Sequence, residues 1–196
     1  MLRGRMRRSW LVTVVLLAAC GGGAKTVSAS QLPKLVLQAS DLHGPFTAFD
    51  VGRQTQLDRV AGPRSDPARF GRRGGWKARY NRPGSAATRG PLVVESRADV
   101  FASAAGATKD LAAYRAQFAR QPGAQPVRVA RLGAGTVAVL QQRSGRPAAR
   151  FVSVAWRDGN VTASVTVNGF APGLRTADAV ALARAQERRI ARALGR

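Results

Sequence analysis

The sequence predicts an α+β domain with an antiparallel sheet of about five strands and two main helices on one face. Three observations predict this class. Apolar and polar residues alternate with a period of two in several segments, which is typical of strands that bury one face. Short turn sequences join neighbouring segments, which favours antiparallel pairing. Two longer segments repeat apolar residues at spacings of three and four, as amphipathic helices do.

Length and composition set the limits for this domain. The chain has 196 residues, 45% of them hydrophobic, which is enough for one core despite a formal charge of +22. We expect residues 1–19 to form a lipoprotein signal peptide, residues 20–31 a flexible tether and residues 32–196 a single α+β domain. The single cysteine excludes a disulfide framework, and the single histidine excludes sites that need two imidazoles.

The first twenty residues have the order of an export signal. Four arginines precede an apolar run, Trp10 to Ala19, that is too short to cross a bilayer as a helix. The run ends in Leu17-Ala18-Ala19-Cys20, which resembles the bacterial lipoprotein processing box. The resemblance implies cleavage before Cys20 and a diacylglyceryl group on its thiol, which would anchor the chain in the cell membrane on the extracytoplasmic face. The alternative is an ordinary signal with a chance cysteine, and Arg7-Arg8 leaves Sec and twin-arginine export open.

The segment after Cys20 is rich in Gly, Ser and Ala, and eleven such residues predict a tether with an r.m.s. span of about 20 Å. Leu35-Val36-Leu37 then predicts a short strand or helical turn at the start of the domain. Residues 50–75 are polar and irregular, apart from a short helix over residues 67–72. We expect Asp66 to cap this helix and Gly74-Gly75 to end it.

Regular alternation begins at Trp76. Residues 76–82 and 92–101 alternate in polarity and predict an antiparallel pair of strands. Residues 103–121 place Leu111, Tyr114 and Phe118 at helical spacing and predict the first main helix. Residues 136–142 predict a further short strand.

A hairpin gives the strongest local signal. Residues 149–157 and 161–168 alternate on either side of Arg157-Asp158-Gly159-Asn160, and Asp-Gly tolerates the positive φ of a tight turn. The second main helix follows, from Thr176 to about Leu194.

Three segments together resemble uncharacterised lipoproteins of high-GC bacteria: Arg69 to Tyr80, Pro91 to Ser96, and Trp156 to Val161. In those proteins an aromatic-Arg-x-Gly-Asn-Val hairpin precedes a C-terminal helix. Their Leu-Gly-Asp-Glu-Ala stretch is Leu132-Gly133-Ala134-Gly135-Thr136 here, so no role of those acids carries over. The order of elements is also compatible with a Mog1/PsbP-like sandwich, an analogy of fold alone.

Basic residues provide the candidate contact face. Six cations lie within fourteen residues that contain no acid and are interleaved with Phe70, Trp76 and Tyr80: Arg69, Arg72, Arg73, Lys77, Arg79 and Arg82. Export argues against nucleic acid as the partner, so the expected anions are phospholipid headgroups or wall polymers. A solvated face is the alternative. A second basic series follows the polar side of the last helix.

Catalytic patterns are weak. His43 has no companion ligand, and the acids Glu95 and Asp99, four apart on a predicted strand, have Arg97 between them. We therefore expect no catalytic residue, cofactor or metal. The sequence predicts a non-enzymatic, membrane-anchored lipoprotein with an envelope binding or scaffolding role, and leaves its oligomeric state open. The alternative is a carrier or sensor of a hydrophobic ligand, with a cavity lined by residues such as Val94, Tyr114, Phe118 and Val165.

Overall fold

A computed structural model describes residues 25–55 and 62–196 of the chain. The predicted signal peptide, residues 1–19, and the predicted lipidation site Cys20 lie outside the described residues. The described part contains three α-helices and seven strands in the following order: α1 (Leu32–Leu35), β1 (Thr47–Arg53), β2 (Arg72–Asn81), β3 (Val93–Phe101), α2 (Ala104–Ala119), β4 (Ala124–Pro126), β5 (Gly135–Arg143), β6 (Ala149–Asp158), β7 (Val161–Phe170) and α3 (Thr176–Ala193).

One sheet contains all seven strands, in the spatial order β1-β2-β3-β7-β6-β5-β4, and every neighbouring pair is antiparallel. The predicted antiparallel pairing is confirmed, but the expected number of about five strands is wrong. The two additional strands are β1 and β4, which form the two edges. β1 leaves most of its side chains exposed, and β4 has three residues, so neither carries the alternating buried pattern of an inner strand.

The two long helices pack on opposite faces of the sheet, so the prediction of both helices on one face is also wrong. Val154, Trp156 and Val165 belong to the core with α3, whereas Val139 and Ala155 pack against α2. The prediction failed because Thr162 and Ser164 have the polarity of a solvated face. In the fold their hydroxyl groups are buried against Asp110 and Tyr114 of α2.

The short helix before β2 is a single 3-10 turn, Pro67–Phe70. Asp66 accepts a hydrogen bond from the backbone N–H of Ala68, as its predicted capping role requires. Gly71, with φ at +79°, ends the turn in place of the expected Gly74-Gly75, which lie within β2.

The second half of the predicted tether is fixed on the domain. Val27 is 3% exposed, its N–H donates to Asn160 Oδ1 at 2.8 Å, and its carbonyl accepts from Asn160 Nδ2 at 2.9 Å. Lys25 Nζ donates to the carbonyl of Gly195. Residues 25–31 therefore belong to the folded unit, which begins earlier than the predicted boundary at Leu32.

The sheet has two distinct ends. The hairpin end contains the β6–β7 turn, the last residues of α3 and the segment around Val27. The loop end contains the β2–β3 connection, residues 82–92, and the β7–α3 connection, residues 171–175. β6 and β7 each have ten residues, so about 33 Å of strand separates the two ends. Within residues 25–55 and 62–196, no helix combines the length and apolar character needed to cross a membrane.

Candidate binding groove

A groove of about 580 Å³ opens at the loop end of the sheet. Three segments that are far apart in sequence form its walls: residues 42–46, the β2–β3 connection with the start of β3, and the β7–α3 connection with the first two turns of α3. Its volume lies within the range that small-molecule sites occupy in proteins.

The lining of the groove includes many apolar side chains. Val94, at the start of β3, is fully buried, and Leu42 is 8% exposed. Phe46 and Leu182 are half-buried and pack against the core, so they continue this apolar surface toward solvent. Other apolar side chains at the groove are Pro91, Pro172 and Ala181. An acyl chain laid on this surface would bury apolar area on both sides.

The rim of the groove is cationic and includes Arg82, Arg89 and Arg175. Arg82 donates from Nε to the carbonyl of Pro91 at 2.7 Å and from Nη2 to the carbonyl of Arg89, and its guanidinium lies over the ring of Phe46 at 5.2 Å. These partners are neutral, so they hold the side chain in place without cancelling its charge.

One acid lies beside these arginines among the described lining residues, and it is already engaged. Asp178 accepts from the backbone N–H of Arg175 at 2.8 Å and approaches the Arg175 guanidinium at 3.6 Å. The N-terminus of α3, whose dipole is positive, meets the groove at the same point. The groove thus combines apolar walls with a rim of net positive charge.

His43 lies at this rim and is exposed, as its predicted place in a turn suggests. The predicted cavity residues separate in the fold. Val94 lies in the groove, but Tyr114 and Phe118 lie on the opposite face of the sheet and Val165 is buried beneath α3. Among the described residues, no group of three His, Cys, Asp or Glu side chains could hold a metal ion.

The six cations predicted as a contact face do not share one surface. Arg72 turns inward, with Nε 2.6 Å from Asp99 Oδ1 and Nη2 2.7 Å from the carbonyl of Gln54. Lys77 pairs with Asp50 at 2.6 Å, and Arg79 pairs with Asp50 at 3.4 Å and with Glu95 at 3.1 Å. These three cations have carboxylate partners that lie far from them in sequence.

The other three members of that series are placed apart. Arg82 belongs to the groove rim at the loop end. Arg73 is exposed near the hairpin end, opposite the last residues of β3, and Arg69 is exposed on the 3-10 turn, where it donates to the carbonyl of Pro63. The strand alternation and the pairing of β2 with β1 and β3 disperse a cluster that is continuous in sequence.

A buried charge network lies beneath α2. Arg64 is 1% exposed and contacts Asp110 at two points and Asp99 Oδ2 at 2.9 Å, while its guanidinium lies 3.5 Å from the centre of the Tyr114 ring. Burial opposes the charge of Arg64, but Tyr114, Asp99 and Asp110 outweigh this effect and raise the pKa of its guanidinium. The network joins the segment before β2 to α2 and β3.

This network contains Asp99, one of the two acids considered as a catalytic pair. Asp99 is bound by Arg64 and Arg72, and Glu95 is bound by Arg79 and by Arg97, at 2.6 Å. Both carboxylates are therefore held by arginines.

Comparison with known proteins finds a similar fold but no related sequence. No protein-family model matches the chain, and no curated protein matches it either. A solved structure does share its fold. It is the extracellular domain of PknH from Mycobacterium tuberculosis, which superposes with a TM-score of 0.63 at 11% sequence identity over 89% of this chain and 100% of that domain. At this identity the likeness shows the fold alone, and it replaces the Mog1/PsbP-like analogy.

Sequence reasoning missed the groove and the buried network for different reasons. The groove joins residues from three separate segments, so no local sequence pattern predicts it. The network did leave a signal, because Asp110, Tyr114 and Phe118 are four residues apart and share one stripe of α2. A carboxylate on the buried stripe of a helix requires a cationic or hydrogen-bonding partner.

Proposed function

We propose that this chain is an extracytoplasmic, lipid-anchored binding protein whose groove takes an amphiphilic anion with a single acyl chain. The observation that carries the proposal is the meeting of an apolar lining with a rim of arginines that lack carboxylate partners outside the local Arg175–Asp178 pair. An acyl chain would pack on Phe46 and Leu182, and a phosphate or carboxylate head would accept hydrogen bonds from Arg89 and Arg175.

The location outside the cytoplasm has two supports. One is the Leu17-Ala18-Ala19-Cys20 sequence after a basic, apolar leader. The other is the fold shared with a domain that is named as extracellular in its own protein. Lipid attachment at Cys20 would hold the domain beside a membrane.

The geometry favours a binding protein over an enzyme. The acids at the most charged part of the sheet are engaged by arginines, and Asp178 at the groove is engaged by Arg175. These pairs leave them poorly placed to accept or donate a proton during a reaction.

The sequence alternative was a carrier or sensor of a hydrophobic ligand. The cationic rim of the groove narrows that ligand to an anionic amphiphile. Docking through the whole series from Arg69 to Arg82 is less favoured, because Asp50, Glu95 and Asp99 neutralise Arg72, Lys77 and Arg79. Arg82 remains as part of the groove.

Lysophosphatidylglycerol below its micelle concentration is the probe that tests the proposal. We expect calorimetry to show that the processed chain with Cys20→Ser binds it at least tenfold more tightly than lysophosphatidylcholine, whose head has no net charge. The double variant Arg89→Gln and Arg175→Gln should lose about tenfold or more in affinity.

The control is Arg184→Gln, which removes an exposed arginine of α3 that does not line the groove. Its affinity should stay within twofold of the parent. Equal binding of the two lysolipids, or an equal loss in both variants, would overturn the assignment of the groove.

A further inference from the structure

The point at which the N-terminal segment joins the domain is fixed. Asn160, at the β6–β7 turn, exchanges two hydrogen bonds with the backbone of Val27 and donates a third to the carbonyl of Phe101 at 2.8 Å. Asn160 is 3% exposed, and Lys25 is held on Gly195 at the same end. The N-terminal segment therefore leaves the domain at the hairpin end.

The distance from this point to Cys20 is short. Five peptide units separate Cys20 from Lys25, and they span at most about 18 Å in any conformation. The loop end lies about 33 Å further along the strands. A lipid on Cys20 would thus keep the hairpin end near the bilayer.

The hairpin end also carries exposed positive charge. Six cations lie around the exit point: Lys25, Arg73, Arg131, Arg157, Arg192 and Arg196. Arg73 and Arg192 are exposed and have no carboxylate partner within the described part of the chain. Asp158 lies among them, but its buried carboxylate is already paired with Arg196 at 2.5 Å.

We infer that the hairpin end is a membrane-facing surface whose exposed cations contact anionic phospholipid headgroups, so that the groove opens away from the membrane. The inference rests on the proposed lipid anchor at Cys20. Cations within about 8 Å of an anionic leaflet are attracted strongly, and each strengthens binding by about fivefold. Those at the loop end lie beyond this range in the inferred orientation.

The orientation is measured on the anchored protein in vesicles that contain phosphatidylglycerol. Acylation consumes the thiol of Cys20, the only cysteine in the chain, so an introduced cysteine is the single labelling site. Ala134 at the hairpin end and Ala87 at the loop end are both exposed alanines and form a matched pair for Ala→Cys labelling. A headgroup-bound quencher should reduce the fluorescence of the label at position 134 several-fold more than at position 87. Equal or reversed quenching would overturn the orientation.

The charge of the surface is tested without the anchor. Every contact described above lies within residues 25–196, so the processed chain with Cys20→Ser retains the folded domain. We expect the double variant Arg73→Gln and Arg192→Gln to bind anionic vesicles about 25-fold more weakly at low salt. The matched double variant Arg143→Gln and Arg146→Gln at the loop end should change binding by less than twofold.

Failure of the anchor and failure of the surface give different results. Mass spectrometry that finds unmodified Cys20 would contradict the lipid anchor and leave the vesicle comparison intact. Equal losses in the two double variants would contradict the surface even if Cys20 carries lipid.

Discussion

Arg64 and Asp110 meet at two points in the interior, with Nε 2.9 Å from Oδ1 and Nη2 3.0 Å from Oδ2. Thr162 of β7 donates a further hydrogen bond to Asp110 Oδ2 at 2.6 Å. The pair connects the chain before β2 with α2 and the centre of the sheet. Because the site is buried, each charge depends on its partner for stability.

Removal of one partner should destabilise the domain strongly. Asp110→Ala leaves Arg64 with reduced compensation in a buried site, and we expect a loss of about 3–5 kcal/mol in the free energy of unfolding. Urea denaturation measures it. Asp66→Ala, which removes an exposed cap, is the control and should cost about 1 kcal/mol. The double variant Arg64→Met and Asp110→Leu should lose less stability than Asp110→Ala alone, because Asp99 keeps Arg72 as a partner. An equal or larger loss of stability in the double variant would argue against uncompensated charge as the cause.

Alkaline pH should reveal two buried tyrosines. Burial raises the pKa of Tyr80 and of Tyr114 above 10, and these are the two tyrosines of the chain. The folded state holds both protons more tightly than the unfolded state does. Stability is therefore full below pH 10 and falls by about 1.4 kcal/mol per pH unit for each tyrosine as pH rises from 10 toward the folded pKa values.

Tyrosinate absorbance measures this effect directly. At pH 10 the native protein should show less tyrosinate than the unfolded chain, and the remaining signal should appear together with unfolding. Tyr80→Phe, which removes the hydrogen bond to the carbonyl of Leu37, should halve the absorbance change. A native protein that titrates at pH 10 with its fold intact would disprove the burial of both hydroxyls.

Asn160 should be important for stability although it lies in a turn. Asn160→Ala leaves the N–H and carbonyl of Val27 and the carbonyl of Phe101 without these partners, and we expect a loss of about 2–4 kcal/mol. Hydrogen exchange at Val27 should accelerate. Asn168→Ala, on the same hairpin, is the matched control and should stay within about 1 kcal/mol of the parent. Similar losses in both variants would contradict a specific role for Asn160.

Replacing Gly106 with alanine should lower stability, although alanine has the higher helix propensity. It lies in the first turn of α2, where alanine ordinarily favours a helix, but a Cβ there would lie 2.2 Å from the carbonyl oxygen of Phe70. Since that atom belongs to the backbone, Gly106→Ala should destabilise by about 1–3 kcal/mol in thermal or urea unfolding. Gly52→Ala has open space around its Cβ and should change stability by less than about 1 kcal/mol. A more stable Gly106→Ala protein would refute the close contact.

Period-two patterns predicted the inner strands well, because each inner strand has a buried face. Val161, Ala163, Val165 and Val167 lie on the α3 face of β7, as their alternation requires. The same reasoning could not assign a partner to the opposite face. Thr162 and Ser164 are polar, and only the facing Asp110 and Tyr114 show that a helix covers them.

The sequence shows how many charged side chains the protein has, but it does not predict where those side chains lie on the fold. Sequence reasoning placed Arg69 to Arg82 together, but β1 and β3 bring Asp50 and Glu95 beside Lys77 and Arg79. Cross-strand pairs of this kind depend on register, which the sequence does not specify for an exposed edge strand such as β1. The groove depends on the same long-range order.

The attachment of Val27 to Asn160 has a mechanical meaning. A force applied to the N-terminal segment enters the sheet at the tip of the hairpin formed by β6 and β7. β7 is the fourth of seven strands, so three strands on each side share the load. Tension at the N-terminus would therefore load the middle of the sheet before either edge strand, β1 or β4.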